Sequence, residues 1–484
     1  MSLSPFVVAI PPRSPDRFRA VLAPEQVERL ERAIDEGRRL LDGHVVWNVN
    51  STAKGGGVVE LLRPLVGYAR GAGVDARWVV IEGTPEFFAV TKRIHNRLHG
   101  AEGDGGALDE EARHVYESVL AENLAGFPGD VQPGDVVIVH DPQPAGLIGA
   151  LKERGAAVIW RCHVGIETPN DLIREAWAFL RPYVHDADVY VFSRESFAWE
   201  GLDRDRLVVI HPTIDAFAPK NVDIDRDAVR AILAVTGLVP DAGGSAPITF
   251  ERQDGTAGRV ERRARLIEDA PLAPGTPVVL QVSRWDALKD PIGVIRGFAE
   301  HVPERTGAHL VYAAPDVAAV ADDPEGRDVR IRAVSVRERL QPDARRRVHL
   351  ASLPLDDVEE NARIVNALQR HARVVVQKSL AEGFALPVAE AMWKGRPVVG
   401  SRIPGIEDQI DHAHSGVLLD DPRDLRAFGA AVTHLLDHPA LARALGERAH
   451  ELARNRFAHE RSLLDYLELA CVALDRASSR SVHA

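Results

Sequence analysis

The stretch Arg373-Val-Val-Val-Gln377-Lys-Ser379-Leu-Ala-Glu382-Gly383-Phe384-Ala385-Leu386-Pro387-Val-Ala-Glu390-Ala-Met-Trp-Lys-Gly-Arg-Pro397-Val-Val-Gly400 decides the fold class. A β-branched run gives way to a glycine turn, a helix start and a second β-branched run, which is the order of a βαβ unit. Pro387 suits the first turn of a helix. Glu390 is therefore expected on that turn and Glu382 in the loop before it, both beside backbone N–H groups at the positive helix end. Such an end attracts phosphate, and carboxylates beside it accept hydrogen bonds from sugar hydroxyls. The same spacing also occurs in ordinary capped helices with solvated glutamates. The strand, glycine turn and proline around it favour a site for sugar and phosphate.

Similar runs recur at 44–49, 76–81, 135–140, 157–162, 188–192 and 207–211, then at 277–282, 309–314, 348–351, 373–377 and 397–400. Longer helical patterns separate them, the signature of parallel sheets covered on both faces. At 484 residues the chain exceeds the size at which one core keeps growing, so two Rossmann-like, doubly wound α/β domains are expected. The prolines and lost periodicity of 211–221 mark the connection between them. Residues 241–258 read as an irregular excursion, and after Pro439 the chain reads as helix almost to Ser478, broken near Asn455.

Composition narrows the function. With 59 basic against 71 acidic residues the net charge is −12, which lacks the electrostatic footprint of a nucleic-acid or anionic-lipid binder. Phosphate binding must then be local. The apolar run after Met1 is short and has no basic start, and no stretch approaches membrane-spanning length, so a cytoplasmic protein is expected. Cys162 and Cys471 are the only cysteines, which fits a reducing compartment and excludes a cysteine-based zinc site.

Three further constellations carry chemistry. Asn50-Ser-Thr-Ala-Lys-Gly55-Gly56-Gly57 opens a helix directly after a strand, as a phosphate or sugar cradle or simply as a tight turn. Arg284-Trp-Asp-Ala-Leu-Lys289 places two cations five positions apart at the carboxyl end of a strand, where α/β sheets bind ligands. Together they could neutralise a departing diphosphate. Asp141, Gln143, Arg161 and His163 occupy neighbouring strand ends of the first half, with Asp141 and His163 the candidates for sugar contact. No serine elbow stands out, and no metal site and no metal cofactor are expected.

Glu382 and Glu390 with their flanks resemble the E-x7-E signature of retaining GT-B glycosyltransferases. The whole chain is similar to the trehalose glycosyltransferring synthases, which join a nucleoside-diphosphate glucose to free glucose. The most specific matches are Val46-Trp-Asn-Val-Asn50, Trp78-Val-Val-Ile-Glu82 with Phe87, Phe88, Lys92, His95 and Asn96, and His140-Asp-Pro-Gln-Pro. Asn361, Asn366, Gln369 and Met392-Trp-Lys-Gly-Arg-Pro add to them. The resemblance implies a GT-B fold with two Rossmann-like domains facing a central cleft. Residues 1–218 would form the acceptor side, with the last helix, about 456–484, crossing back onto it, and 219–455 the donor side.

By the same resemblance, Arg284, Lys289, Glu382, His163 and Asp141 surround the reacting atoms. Gly56, Gly57, Gly383, Phe384, Ala385, Leu386 and Glu390 join Arg284, Lys289 and Glu382 in holding the donor. Asn50, Glu82, Lys92, His95, Asp141, Gln143 and Arg161 hold the acceptor. Transfer would be retaining, without a metal or a protein nucleophile, from a nucleotide sugar to a small sugar, with UDP- and ADP-glucose both open and a homodimer open. Gly165 stands where the family has an acidic residue, Ala385 and Pro404 where it has glycine, which leaves the donor and acceptor sugars open. A trehalose phosphorylase, a transferase making a trehalose-like product, a GT-B epimerase and a non-catalytic sugar-nucleotide binder remain as alternatives.

Overall fold

The β-branched runs form two seven-stranded sheets, one in each of two units, in a computed structural model that describes residues 3–54, 57–240, 248–317 and 325–481. The first unit comprises Met1–Thr213 with His459–Ala484, and the second comprises Ile214–Ala458. The chain thus passes between units a few residues from the expected boundaries at 218 and 455. Beside the passage, Ile214 N–H donates to Phe457 O at 2.7 Å within the second unit. Thr213 Oγ1 meets His459 Nδ1 at 3.0 Å within the first.

In the first unit, β1 (Phe6–Val7), β2 (Val45–Asn50), β3 (Asp75–Val80), β4 (Val136–His140), β5 (Ala157–Arg161), β6 (Val189–Phe192) and β7 (Leu207–Val209) lie in the order β1-β3-β2-β4-β5-β6-β7. All pairs are parallel except the β1 edge. Alternate residues feed opposite layers, as a sheet buried on both faces requires. Trp47, Val49, Val137, Val139, Val158 and Trp160 pack into one core with Phe87 and Tyr116. Val136, Ile138, Ala157, Ile159, Val189 and Val191 pack into another, closed by Leu469, Ala470 and Ala473 of the last helix, Glu460–Ser481.

The second unit begins with a hairpin of β8 (Ile248–Glu251) and β9 (Ala257–Val260). The excursion expected to be irregular is therefore paired strand from Ile248 onward, and 241–247 lie outside the described residues. Charge holds the hairpin to the helix Val358–His371: Arg252 Nη1 bonds Asp357 Oδ1 at 2.9 Å, and Arg262 pairs with Glu360. The main sheet contains β10 (Arg265–Ile267), β11 (Val278–Val282), β12 (His309–Pro315), β13 (Val348–Leu353), β14 (Val374–Gln377), β15 (Val398–Ser401) and β16 (Val417–Leu419), ordered β10-β13-β12-β11-β14-β15-β16. Only β10 is antiparallel. Strand order reverses between β2 and β4 in the first sheet and between β11 and β14 in the second. Ligands of open α/β sheets bind outside the carboxyl ends of strands at such reversals. Among the described residues no helix is long and apolar enough to cross a membrane.

Candidate functional site

Lys289 follows β11 and Glu382 follows β14, so the reversal point of the second sheet brings residues 93 positions apart together. Lys289 Nζ donates to Glu382 Oε2 at 2.6 Å. Glu382 Oε1 accepts from Ser379 Oγ at 2.8 Å and Gln377 Nε2 at 3.2 Å, so the carboxylate is held from three sides. Gln281, at the end of β11, ties the two loops: its Nε2 donates to Lys289 O at 2.8 Å and its Oε1 accepts from Lys378 N at 3.2 Å. Beneath them the fully buried Lys378 ammonium pairs with Asp290, whose other oxygen accepts from Gly293 N at 2.9 Å and caps the helix Pro291–His301. Arg284 keeps more exposure than Lys289, with Asp286 Oδ2 3.5 Å from its Nη2.

Ala385 is the N-cap of the helix Leu386–Trp393, in the left-handed conformation at φ 67°. This explains the glycine expected there: only glycine adopts that region without steric cost. Gln409 anchors the strained turn by donating to Phe384 O, and to Gly405 O at 2.7 Å. Gly405 in turn has no room for a side chain, since a Cβ would lie 2.7 Å from Gly383 O. Across the first turn of this helix Val388 N–H donates to Ala385 O at 2.9 Å. Glu390 is the fifth helical residue, one turn further along than expected from Pro387. It is buried, with Lys220 Nζ 3.5 Å from its Oε1.

In the first unit Asp141 follows β4 and His163 follows β5. Asp141, at φ 65°, accepts His163 N–H on Oδ1 at 2.7 Å, and its own carbonyl accepts from Trp160 Nε1 at 3.1 Å. Burial pushes the Asp141 carboxyl up to about 7, against the pull of the His163 N–H and the Arg161 guanidinium. Asp141, Asp290 and Ala385 are three of the four non-glycine residues with positive φ among those described, and each follows a strand flanking or next to a reversal point. Strain of this kind persists where the surroundings over-determine it, commonly at functional sites.

The other candidates have mixed surroundings. Asn50 is engaged structurally, accepting from Trp78 Nε1 at 2.8 Å and donating to Thr52 O at 2.8 Å. Buried Arg161 donates to Ile210 O at 2.7 Å. Exposed Glu82 accepts from Ser4 N at 2.8 Å. Lys92 and His95 lie half-buried on the helix Pro85–Leu98, whose Phe87 belongs to the core, and His95 stands edge-on to His99 at 5.0 Å. Gln143 is half-buried in the loop after β4. Gly57 begins the helix Gly57–Gly71, while Gly56 lies outside the described residues. A recess in this unit is lined by His140, Arg161, His163, His459, Ser462 and Tyr466. His140, Gln281, Gln377, Lys378 and Asp290 went unassigned in the sequence because their roles arise between strands. Among the described residues no group of His, Cys, Asp and Glu is arranged to hold a metal ion.

Gly165 has a steric reason for lacking the acidic side chain expected there. A Cβ there would lie 2.5 Å from Phe197 Cγ, and Phe197 is itself core. Gly165→Asp is expected to cost about 1–3 kcal/mol through overpacking. Urea unfolding checks this, and Gly165→Asp should cost less in a Phe197→Ala background than in the unaltered protein.

Comparison with known proteins agrees with these features. Residues 48–199 match the family described as trehalose synthase, N-terminal domain, and residues 358–452 match glycosyl transferases group 1. Trehalose synthase of Pyrococcus horikoshii is 34% identical over 460 residues, covering 94% of this chain and 96% of that protein. That of Rubrobacter xylanophilus is 36% identical over 432 residues, covering 89% and 90%. Among solved structures, α,α-trehalose 6-phosphate synthase from Burkholderia multivorans aligns with a TM-score of 0.64 at 16% identity, over 91% of this chain and 98% of that one. The two sheets are therefore those of a GT-B glycosyltransferase, and the chain belongs to the trehalose synthase family.

Proposed function

We propose that this enzyme is a retaining glycosyltransferase that moves glucose from a nucleoside-diphosphate glucose to glucose, forming α,α-trehalose or a close analogue. The carrying observation is the Lys289–Glu382 pair at the strand reversal, with Arg284 on the same loop. As the bond between the anomeric carbon and the diphosphate oxygen breaks, negative charge grows on the diphosphate and positive charge on the sugar. Lys289 and Arg284 stabilise the first, and placing them in advance costs no reorganisation at the moment of reaction. Glu382, fixed by Ser379 and Gln377, accepts donor-sugar hydroxyls, and Glu390 accepts ribose hydroxyls. The departing oxygen takes the proton of the acceptor hydroxyl on the same face, so configuration is retained. Asp141 and His163 hold sugar hydroxyls in register.

A panel of nucleotide sugars and free sugars with mass detection tests this reading. The expected product is a hexose disaccharide with release of nucleoside diphosphate. Product from trehalose and inorganic phosphate, with none from any nucleotide sugar, would establish the phosphorylase instead.

Two further outcomes follow. An α-configured donor should give an α,α-1,1 linkage, read from anomeric coupling constants on fresh product; a β linkage at the donor carbon would overturn the mechanism. Because side-chain cations are assigned the leaving group, turnover should survive EDTA. Activity lost in chelator and restored by a divalent ion would reassign that role.

A further inference from the structure

Two buried side chains stand in line behind His163. Asn48, on β2, offers Oδ1 to His140 Nε2 at 3.1 Å, and His140 Nδ1 meets His163 Nε2 at 3.2 Å. Asn48 and His140 are both about 2% exposed, and the two imidazoles lie nearly parallel, 5.6 Å apart at 12°. An amide oxygen only accepts, so the proton of that first bond belongs to His140 Nε2. A neutral imidazole carries one proton, which leaves His140 Nδ1 as an acceptor. The proton of the second bond therefore sits on His163 Nε2, and His163 Nδ1 carries a bare lone pair. No hydrogen-bond partner meets that atom among the described residues. Both rings are kept neutral: burial and the Arg161 guanidinium lower His140 to about 3 and hold His163 well below the usual histidine range. Asp141 holds the same residue by its main chain, accepting the His163 backbone amide N–H on Oδ1 at 2.7 Å.

We infer that Asn48 and His140 are positioning residues that lock His163 in its Nε2–H tautomer and present its Nδ1 to the substrate as a hydrogen-bond acceptor for a sugar hydroxyl. This rests on the proposal that His163 touches sugar. It adds that the contact has a direction: His163 accepts and does not donate, so a sugar lacking that hydroxyl, or carrying fluorine there, loses the bond. A histidine free to change tautomer would tolerate both. The second-sphere partner of a histidine commonly sets which nitrogen carries the proton.

Nitrogen NMR on the unmodified protein with ring-labelled histidine tests the tautomer, with His163 assigned by difference against His163→Gln. A protonated Nε2 and a bare Nδ1 are expected; the reverse pattern, or a doubly protonated ring at neutral pH, overturns the inference. Kinetics test the relay. His140→Phe should lower kcat about tenfold with the donor KM retained, the effect of one lost orienting hydrogen bond. His140→Asn, whose amide can still accept from His163, should recover most of it. In a cycle with His163→Ala, the His140→Phe loss should vanish once His163 is gone. If His163→Ala is fully active, the sugar-contact reading fails. If His163→Ala is slow while His140→Phe is fast or its loss adds independently, the relay fails and that reading stands.

Discussion

Lys289→Ala is expected to lower kcat by roughly 10²–10³-fold, and Arg284→Ala by a comparable factor, the range seen when one preorganised donor to a developing anion is removed. The charge each cation meets is greater in the transition state than in bound substrate, so the loss should fall on kcat as well as on nucleotide affinity. Lys289 has a second effect. It is the partner of Glu382 at 2.6 Å, and its removal leaves that carboxylate held only by Ser379 and Gln377. Steady-state kinetics with calorimetry against UDP, ADP and GDP measure both quantities. Unchanged binding of all three after Arg284→Ala, with activity preserved, would refute the assignment.

Asp290→Ala should produce the largest loss of stability, about 3–5 kcal/mol from the unpaired Lys378 ammonium with a further ~1 kcal/mol from the missing helix cap. Lys378 is fully buried and pairs with Asp290. Lys378→Met should cost less, because Asp290 is partly exposed and keeps its bond from Gly293. Asp290→Asn separates the contributions, since asparagine caps helices and tolerates positive φ but lacks the charge. Chemical denaturation gives the magnitudes, and hydrogen exchange over Val278–Val282 and the following loop locates the opening. Equal loss for Asp290→Ala and Asp290→Asn would point to charge alone.

Most of the parallel strands were legible because they are β-branched runs, and such runs need no partner to be recognised. Three short pairings were not. Phe6–Val7 and Arg265–Ile267 join as antiparallel edges, and Val417–Leu419 adds to the other edge, each through only two or three residues. The hairpin at Ile248–Val260 reads locally as arginine, glycine and polar residues. Its order comes from Asp357 and Glu360, about a hundred positions away. At the site, Arg284, Lys289 and Glu382 stood out as charges after strands. Their supports, Gln281, Gln377 and Lys378, are polar residues inside or just after strands, a position that signals nothing until strand neighbours are known. The glycine expected at 385 and the acidic residue expected at 165 show two kinds of departure. Ala385 keeps the backbone glycine would have taken, at a cost in strain, whereas Gly165 and Phe197 are one packing decision that a sequence presents as two.

The helix Glu460–Ser481 closes a layer whose remaining members lie before residue 211. A ribosome makes these parts in the wrong order for simple assembly. While Ile214–Ala458 is being synthesised, Val136, Ile138, Ile159 and Val191 have no Leu469, Ala470 or Ala473 to cover them. The inserted unit is contiguous and can complete its core first, and the unit that begins the chain is finished by its last helical segment. Nascent chains of this protein therefore carry an uncovered apolar sheet face throughout synthesis of the inserted unit, a surface for chaperones to occupy until the helix emerges.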